Sequence, residues 1–179
     1  MCTTLLRHAN WLPARNLVSD LFDDAAIARC ERQIDEWLGR IRSNYPNIES
    51  VDRAEGDEFR WFVRMRGEEK DFTTIWLLLG QRTLRYETYV MPAPEENAQE
   101  LYEFALRQNE RITGAHFSIG IEDALFLRGE LPLGVLTESE LDRIIGTMYA
   151  TVERFFPMLI RTGFATRFAR TDAPLASER

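Results

Sequence analysis

Residues 59–91 read FRWFVRMRGEEKDFTTIWLLLGQRTLRYETYVM, and much of this stretch alternates apolar with polar side chains. A period of two is typical of β-strands, so we predict strands over residues 57–66, 72–79 and 83–91. Short turns at residues 67–70 and 80–82 connect them into an antiparallel meander. The middle strand is apolar on both faces, which indicates a strand covered on both sides. We therefore expect Trp61 and Trp76 both to be mostly buried.

Helical spacing flanks this meander on both sides. Before it, apolar residues recur every three or four positions from Ile27 to Tyr45, after a cap at Ser19-Asp20 or Asp23-Asp24 and ahead of Pro46. After it, Thr137 and Glu140 form a capping box, and a second apolar periodicity runs to Phe156. Pro157 is expected to kink or end that helix, and Gly163 to follow its C-terminus.

The region between the meander and the last helix completes the predicted fold. Glu95-Glu96 opens a helix that ends near Gly114, and strands follow at residues 116–121 and 124–131, joined by a two-residue turn at Glu122-Asp123. The predicted class is α+β, an antiparallel sheet with the order α-β-β-β-α-β-β-α. The predicted division is an N-terminal extension at residues 1–18, one α+β domain at 19–164 and a polar tail at 165–179.

Composition excludes several classes of function. A net charge of −7 disfavours general attraction to nucleic acid or to anionic membranes. No apolar run approaches the roughly 18 residues of a membrane span. Residues 1–18 lack the continuous apolar core of a signal peptide, so a cytoplasmic location is expected. The two cysteines, Cys2 and Cys30, indicate reduced thiols and no disulfide framework.

Motifs for catalysis and for cofactor or metal binding are not found in the sequence. The two histidines, His8 and His116, have no further histidine or cysteine at ligand spacing. Cys30 lies within an amphipathic helix, which is the wrong setting for an activated thiolate. A G-x-S-x-G turn, a G-x-G-x-x-G loop and a Walker A loop are all missing. We therefore predict no catalytic, cofactor-binding or metal-binding residues, no cofactor, and a protein that is not an enzyme.

One group of side chains on the predicted sheet could bind a partner. Arginines and aromatic residues share one face of two strands, at Arg60, Phe62, Arg64, Arg66, Arg85 and Tyr89. Such a face resembles a nucleic-acid platform, but cross-strand pairing, for example with Glu87, is the better interpretation in an acidic chain. Aromatic and arginine side chains are also enriched at protein-binding hot spots. The predicted partner-binding residues are Phe62, Arg64 and Tyr89.

These elements together resemble the YbjN family, which shares the fold of type III secretion (Tir-type) chaperones. The resemblance runs from about residue 27 to about residue 164. It is carried by the helix that reaches Trp37-Leu38, the strands TIWLLL (residues 74–79) and LRYETYV (84–90), the helix at 101–109, the pair FSI (117–119) and LFLRGELP (125–132), and the helix at 137–156. It implies a compact bacterial domain, usually dimeric, that holds protein segments. Some relatives are labelled sensory transduction regulators.

Two hypotheses for the function follow. The first is a non-enzymatic protein-interaction or chaperone-like module, a homodimer that holds a segment of a protein partner. The homodimer is expected because few helices are available to cover the apolar strand at residues 72–79. The alternative is a small-ligand-binding or enzymatic domain of helix-grip type, in which the sheet and the last helix enclose a cavity. A deep apolar pocket above roughly 300 Å³ would favour the alternative.

Overall fold

The structure is a computed structural model that describes residues 22–56 and 59–171. The helices are α1 (Asp24–Asn44), α2 (Ala98–Gln108), α3 (Glu138–Gly163) and α4 (Ala165–Thr171). The strands are β1 (Ile48–Arg53), β2 (Arg60–Arg66), β3 (Phe72–Leu79), β4 (Thr83–Met91), β5 (His116–Ile119) and β6 (Leu125–Pro132). The predicted N-terminal extension, with Cys2 and His8, lies outside the described residues, as does the end of the predicted tail.

The six strands form one antiparallel sheet in the order β1-β2-β3-β4-β6-β5. The predicted meander is present as β2, β3 and β4. Helix α3 packs along β3 and β4, α1 packs on β1, and α2 packs on β5. Burial alternates along the central strands, with one face fully buried and the other half-buried or exposed. We call the face beneath the helices the inner face and the opposite one the outer face.

The predicted order of elements is wrong at two places. Strand β1, IESVDR, was missed because it is short and polar, and it is recognisable only through its pairing with β2. Helix α4 occupies part of the predicted polar tail. It is held by polar contacts, since the Thr166 amide donates to Glu96 at 3.1 Å and Arg167 pairs with Glu95. Polar contacts of this kind produce no hydrophobic periodicity, so the sequence pattern did not predict this helix.

The predicted signals at helix ends and turns are mostly confirmed. The Asp23 carboxylate accepts a hydrogen bond from the Ala26 amide at 2.7 Å, and the Thr137 hydroxyl accepts one from the Glu140 amide at 3.2 Å. Glu122 and Asp123 both have positive φ, 55° and 56°, as expected for a two-residue hairpin turn of this hand.

Helix α3 runs past Pro157 to Gly163, so this proline does not end the helix. Phe155 and Leu159 on either side of it are buried, and their packing outweighs the missing backbone hydrogen bond. Gly163 is the last residue of the helix. A Cβ there would lie 2.9 Å from a Met91 atom and 3.0 Å from atoms of Leu101 and Pro94, so close packing favours glycine at this position.

The sheet core does not cover β3 on both faces. Ile75 and Leu77 are fully buried on the inner face, whereas Trp76 and Leu78 are only half-buried on the outer face. Trp61 is 1% exposed, and its indole N–H donates to the Asp35 carboxylate on α1 at 2.6 Å. Trp61 is therefore buried as predicted, whereas Trp76 is less deeply buried than Trp61, because helices α1, α2 and α3 pack on the inner face.

The two tryptophans should therefore differ in their contribution to stability. We expect Trp61→Ala to lower the free energy of unfolding by about 3–5 kcal/mol, since it opens a cavity and removes the bond to Asp35. Trp76→Ala is the matched control and should cost clearly less. Urea unfolding of both variants measures the difference. Equal losses would contradict this account of the two faces.

Candidate functional site on the outer face of the sheet

Side chains on the outer face stand in rows that cross the strands. One row spans all six strands and contains Asp52, Phe62, Trp76, Glu87, Arg128 and His116. A second row contains Arg60, Leu78, Arg85 and Glu130. On the other side of the first row, Arg64 lies opposite Thr74, and Tyr89 lies opposite Phe126. The sheet thus brings all three predicted partner-binding residues, Phe62, Arg64 and Tyr89, onto one surface.

The aromatic side chains of this face form two edge-to-face pairs. The ring centroids of Phe62 and Trp76 are 6.4 Å apart, and those of Tyr89 and Phe126 are 5.5 Å apart. Tyr89 remains 38% exposed. Such pairs stabilise the packing of the rings by about 0.5–1.5 kcal/mol. The outer face is therefore a partly apolar surface that contains paired rings.

The arginines of this face are held by carboxylates and rings. Arg64 and Arg66 both pair with Glu49, and the Arg64 guanidinium lies 3.9 Å from the centre of the Phe72 ring. The Arg128 side chain donates to Glu87 at 2.7 Å. The predicted cross-strand pairing is therefore present, but Glu87 pairs with Arg128. The partner of Arg64 comes from β1, the strand that was not predicted.

Sequence reasoning left out Arg128, Phe126, Trp76 and Leu78 as members of this surface. Period-two alternation in LFLRGELP places Phe126 and Arg128 on one face. That signal was available, but which strand lies beside β4 depends on the sheet order. The order places β6 there, between β4 and β5.

A groove of about 470 Å³ runs across this surface. Trp76 and Leu78 provide its apolar part, while Arg60, Arg85 and Glu130 lie around them. The predicted helix-grip cavity would lie on the inner face instead. The inner-face residues Leu77 and Leu84 are fully buried and pack in one core with helix residues such as Met148 of α3. The groove is therefore an open surface feature and not an enclosed pocket between sheet and helix.

Arg85 differs from the other outer-face arginines in its surroundings. It lies on β4 opposite Leu78 on one side and Glu130 on the other. Arg64, Arg66 and Arg128 each have an ion pair. Among the residues that the structure describes, no carboxylate lies within ion-pair distance of Arg85. Its exposed guanidinium therefore faces the groove with its donors available.

A second cluster fixes the turn between β2 and β3 to helix α3. The Glu153 carboxylate accepts hydrogen bonds from the backbone amides of Glu68, Glu69 and Lys70, at 2.7, 2.9 and 3.3 Å. A side chain at Gly67 would collide with this carboxylate. The Lys70 amine donates to the Tyr89 carbonyl oxygen and lies near the Tyr89 and Phe156 rings. Burial lowers the pKa of Lys70 to about 8, although the negative charge of Glu153 raises this pKa.

The described residues offer little for metal or thiol chemistry. Within residues 22–56 and 59–171, no three or more histidine, cysteine or acidic side chains are grouped as a metal site would need. Burial raises the pKa of the Cys30 thiol. His116 is exposed on the outer face at the edge of the groove. No helix in the described part of the chain is long and apolar enough to cross a membrane.

Comparison with known proteins supports the fold and assigns the family. A sequence profile of the YbjN family, described as "Putative bacterial sensory transduction regulator", matches residues 16–161. This chain belongs to the YbjN family. The uncharacterized protein Rv0487 of Mycobacterium tuberculosis is 30% identical over 108 residues, which are 60% of this YbjN chain and 59% of that protein. The uncharacterized protein ML2442 of Mycobacterium leprae is 29% identical over 105 residues, 59% of this chain and 57% of that protein. The similarity therefore spans less than two thirds of these relatives' own length.

Two solved structures share the fold of this YbjN chain. One is the heterodimeric complex ExoU–SpcU from the type III secretion system of Pseudomonas aeruginosa, with a TM-score of 0.51, 15% identity, and coverage of 69% of this chain and 95% of that one. The other is the ExsC–ExsE complex, with a TM-score of 0.52, 19% identity, and coverage of 74% and 95%. The predicted α+β class, similar to type III secretion chaperones, is confirmed.

The pKa of Lys70 predicts a pH dependence of stability. Below about pH 8 the amine is charged in both states, and burial penalises only the folded one. Between about 8 and 10.5 the unfolded chain binds more protons than the folded chain, so the folded state gains stability as pH rises. Wild type should therefore gain stability relative to Lys70→Met when the pH is raised from about 7.5 to about 9.5. The measured quantity is the unfolding free energy of wild type minus that of the variant. Urea unfolding at both pH values measures it, and parallel profiles would refute it.

Proposed function

We propose that this YbjN chain is a protein-interaction module that holds a segment of a partner polypeptide against the outer face of its sheet. The observation that carries the proposal is the one-sided packing of the described helices. It leaves Phe62, Trp76 and Leu78 half-buried and Tyr89 exposed on the opposite face. A contiguous apolar surface with arginines around it is typical of a binding site.

The fold supports this proposal by precedent. The two structural neighbours are chains from complexes of two proteins, ExoU with SpcU and ExsC with ExsE. A related fold therefore serves in proteins that associate with other proteins. The proposal assigns no catalytic residue and no cofactor to this chain, and it includes a chaperone-like role as a holder of the bound segment.

The face is better suited to this role than the edge of the sheet at β5. At that edge the Asn109 side chain donates to the Phe117 carbonyl oxygen at 3.2 Å and accepts from the Phe117 amide at 2.6 Å. These backbone groups are the ones that an added strand would need. We therefore place the partner segment across the face, where Phe62, Arg64 and Tyr89 contact it.

This proposal predicts the loss of partners when the face is altered. A Phe62→Ala, Tyr89→Ala double variant, shown to be folded by circular dichroism, should recover less of the partners than the wild-type chain captures from its native cells. The control is a Tyr45→Ala, Phe168→Ala double variant. It removes the same two residue types elsewhere, since Tyr45 directly follows α1 and Phe168 lies on α4. Both side chains are exposed. Equal recovery of every partner by the three proteins would remove this surface from consideration.

We also propose that the chain is a homodimer. A dimer through the outer face would compete with the partner, but the structure offers other apolar surface. Ile119 is 49% exposed and Ile121 is 81% exposed, both on the β5–β6 hairpin. A two-fold interface needs a self-complementary patch, and apolar residues at one sheet edge can provide it.

The dimer can be tested by placing a charge on this hairpin. Ile121→Asp should shift the protein from dimer to monomer in analytical ultracentrifugation, because a buried, unpaired carboxylate disfavours the interface. Val135→Asp is the matched control, since Val135 is 56% exposed and lies after β6, away from the β5–β6 hairpin. A wild-type protein that stays monomeric at high micromolar concentration would defeat the dimer proposal.

A small-ligand function remains the second candidate because the volume of the groove, about 470 Å³, lies in the range of ligand sites. Native mass spectrometry of the purified protein discriminates the two. A metabolite that co-purifies at one per chain and is turned over would favour the enzymatic alternative.

A further inference from the structure

We infer that the partner segment carries a carboxylate beside an apolar side chain, and that the groove recognises this pair. The apolar side chain would pack on Trp76 and Leu78, and the carboxylate would bind Arg85. This inference rests on the proposed function and narrows it to one chemistry of partner.

The apolar half of the site is defined by neighbouring positions on β3. Trp76 and Leu78 are two residues apart, so both side chains stand on the outer face, and both line the groove. The Trp76 ring packs edge-to-face against Phe62. This contact reduces the freedom that the ring would lose when a partner covers it.

The polar half of the site is Arg85, which lies directly across from Leu78. A guanidinium carries five N–H donors in a planar arrangement that matches a carboxylate. Arg128 already donates to Glu87 and to Ser118. In the described part of the chain, Glu130 is the carboxylate opposite Arg85 in the ladder, yet the two form no ion pair. Arg85 is thus positioned to bind an incoming carboxylate next to an apolar contact.

Charge also discriminates between possible occupants of the groove. The residues that precede the described part of the chain include Arg7 and Arg15 against one acidic residue, Asp20. Such a segment matches Arg85 poorly. In a second copy docked outer face to outer face, Glu49 and Glu87 are already paired with arginines of their own chain, so they are poor partners for Arg85. An acidic, apolar segment of a different protein is the occupant we propose.

Residues 172–179 of this chain share that chemistry through Asp172, Leu175 and Glu178, so the peptides are also titrated into a variant shortened to residue 171. Peptide binding that appears only in the shortened variant would assign the groove to these residues and refute the inference.

Three synthetic peptides of about eight residues, extended enough to cross the sheet, test the inference. The first alternates glutamate with leucine and phenylalanine, the second has glutamine in place of glutamate, and the third has lysine. Isothermal titration calorimetry measures their binding to the full chain. We expect the glutamate peptide to bind roughly tenfold or more tightly than the glutamine peptide, and the lysine peptide to bind weakest.

Charge reversal at Arg85 gives the decisive comparison. Arg85→Glu should weaken the glutamate peptide by roughly tenfold or more and should strengthen the lysine peptide. Arg107→Glu is the control, because Arg107 is exposed on α2 and pairs with Glu103, and it should leave the preference for glutamate unchanged. Since Arg85 is exposed, the variant is expected to fold, and circular dichroism checks this.

The outcomes separate this inference from the function on which it rests. If all three peptides bind equally and Trp76→Ala abolishes binding, the acidic chemistry is refuted while binding on the outer face stands. If none binds, the inference is refuted, and the partner recovery of the Phe62→Ala, Tyr89→Ala variant still decides the proposed function. If Trp76→Glu converts a dimer to a monomer, the groove is occupied by a second copy of the chain. If peptides bind only after Trp11→Ala, the groove is occupied by the chain's own N-terminal residues. Either result refutes the inference.

Discussion

Helices α1, α2 and α3 pack against the same side of a six-stranded antiparallel sheet, and the remaining features of the molecule depend on this one-sided packing. It explains why β3 is fully buried at Ile75 and Leu77 but only half-buried at Trp76 and Leu78. A sheet covered once must either bury its second face by association or fill it with side chains that tolerate water. The outer face does the second in part, with arginines laid over aromatic rings and paired with carboxylates.

Strand β1 contributes more to that outer face than its length suggests. Its Glu49 holds Arg64 and Arg66, and the hydrogen bonds from these guanidinium groups lower the pKa of the Glu49 carboxyl. These pairs are exposed, so their contribution to stability is small, but they fix where the arginines point. Arg85 on β4 stands three strands away from Glu49 on β1 and keeps its donors for the groove. Within the described residues, the surface therefore combines the paired arginines Arg64, Arg66 and Arg128 with Arg85, which has no ion pair.

Much of the architecture follows from local patterns in the sequence. Nearby residues determine three kinds of feature, and all of them are present in the structure. These are the period of two in β2 and β4, the caps at Asp23 and Thr137, and the turn at Glu122-Asp123. Strand β1 and helix α4 are fixed by partners distant in sequence, so periodicity did not reveal them. The same limit applies to the candidate site. Phe62, Arg64 and Tyr89 share a face as predicted, but the groove also needs β6 beside β4, which is a property of the sheet order.

The Glu153 carboxylate, which accepts hydrogen bonds from the turn between β2 and β3, has a consequence for the folding pathway. The turn joins two strands that are adjacent in the chain, yet its amide groups are satisfied by a residue up to 85 positions away. Contacts of such long sequence separation slow folding because a large loop must close first. The β2–β3 hairpin can form early, but its turn reaches its final order only after α3 docks. A hairpin between neighbouring strands thus depends on a distant helix for the hydrogen bonds of its turn.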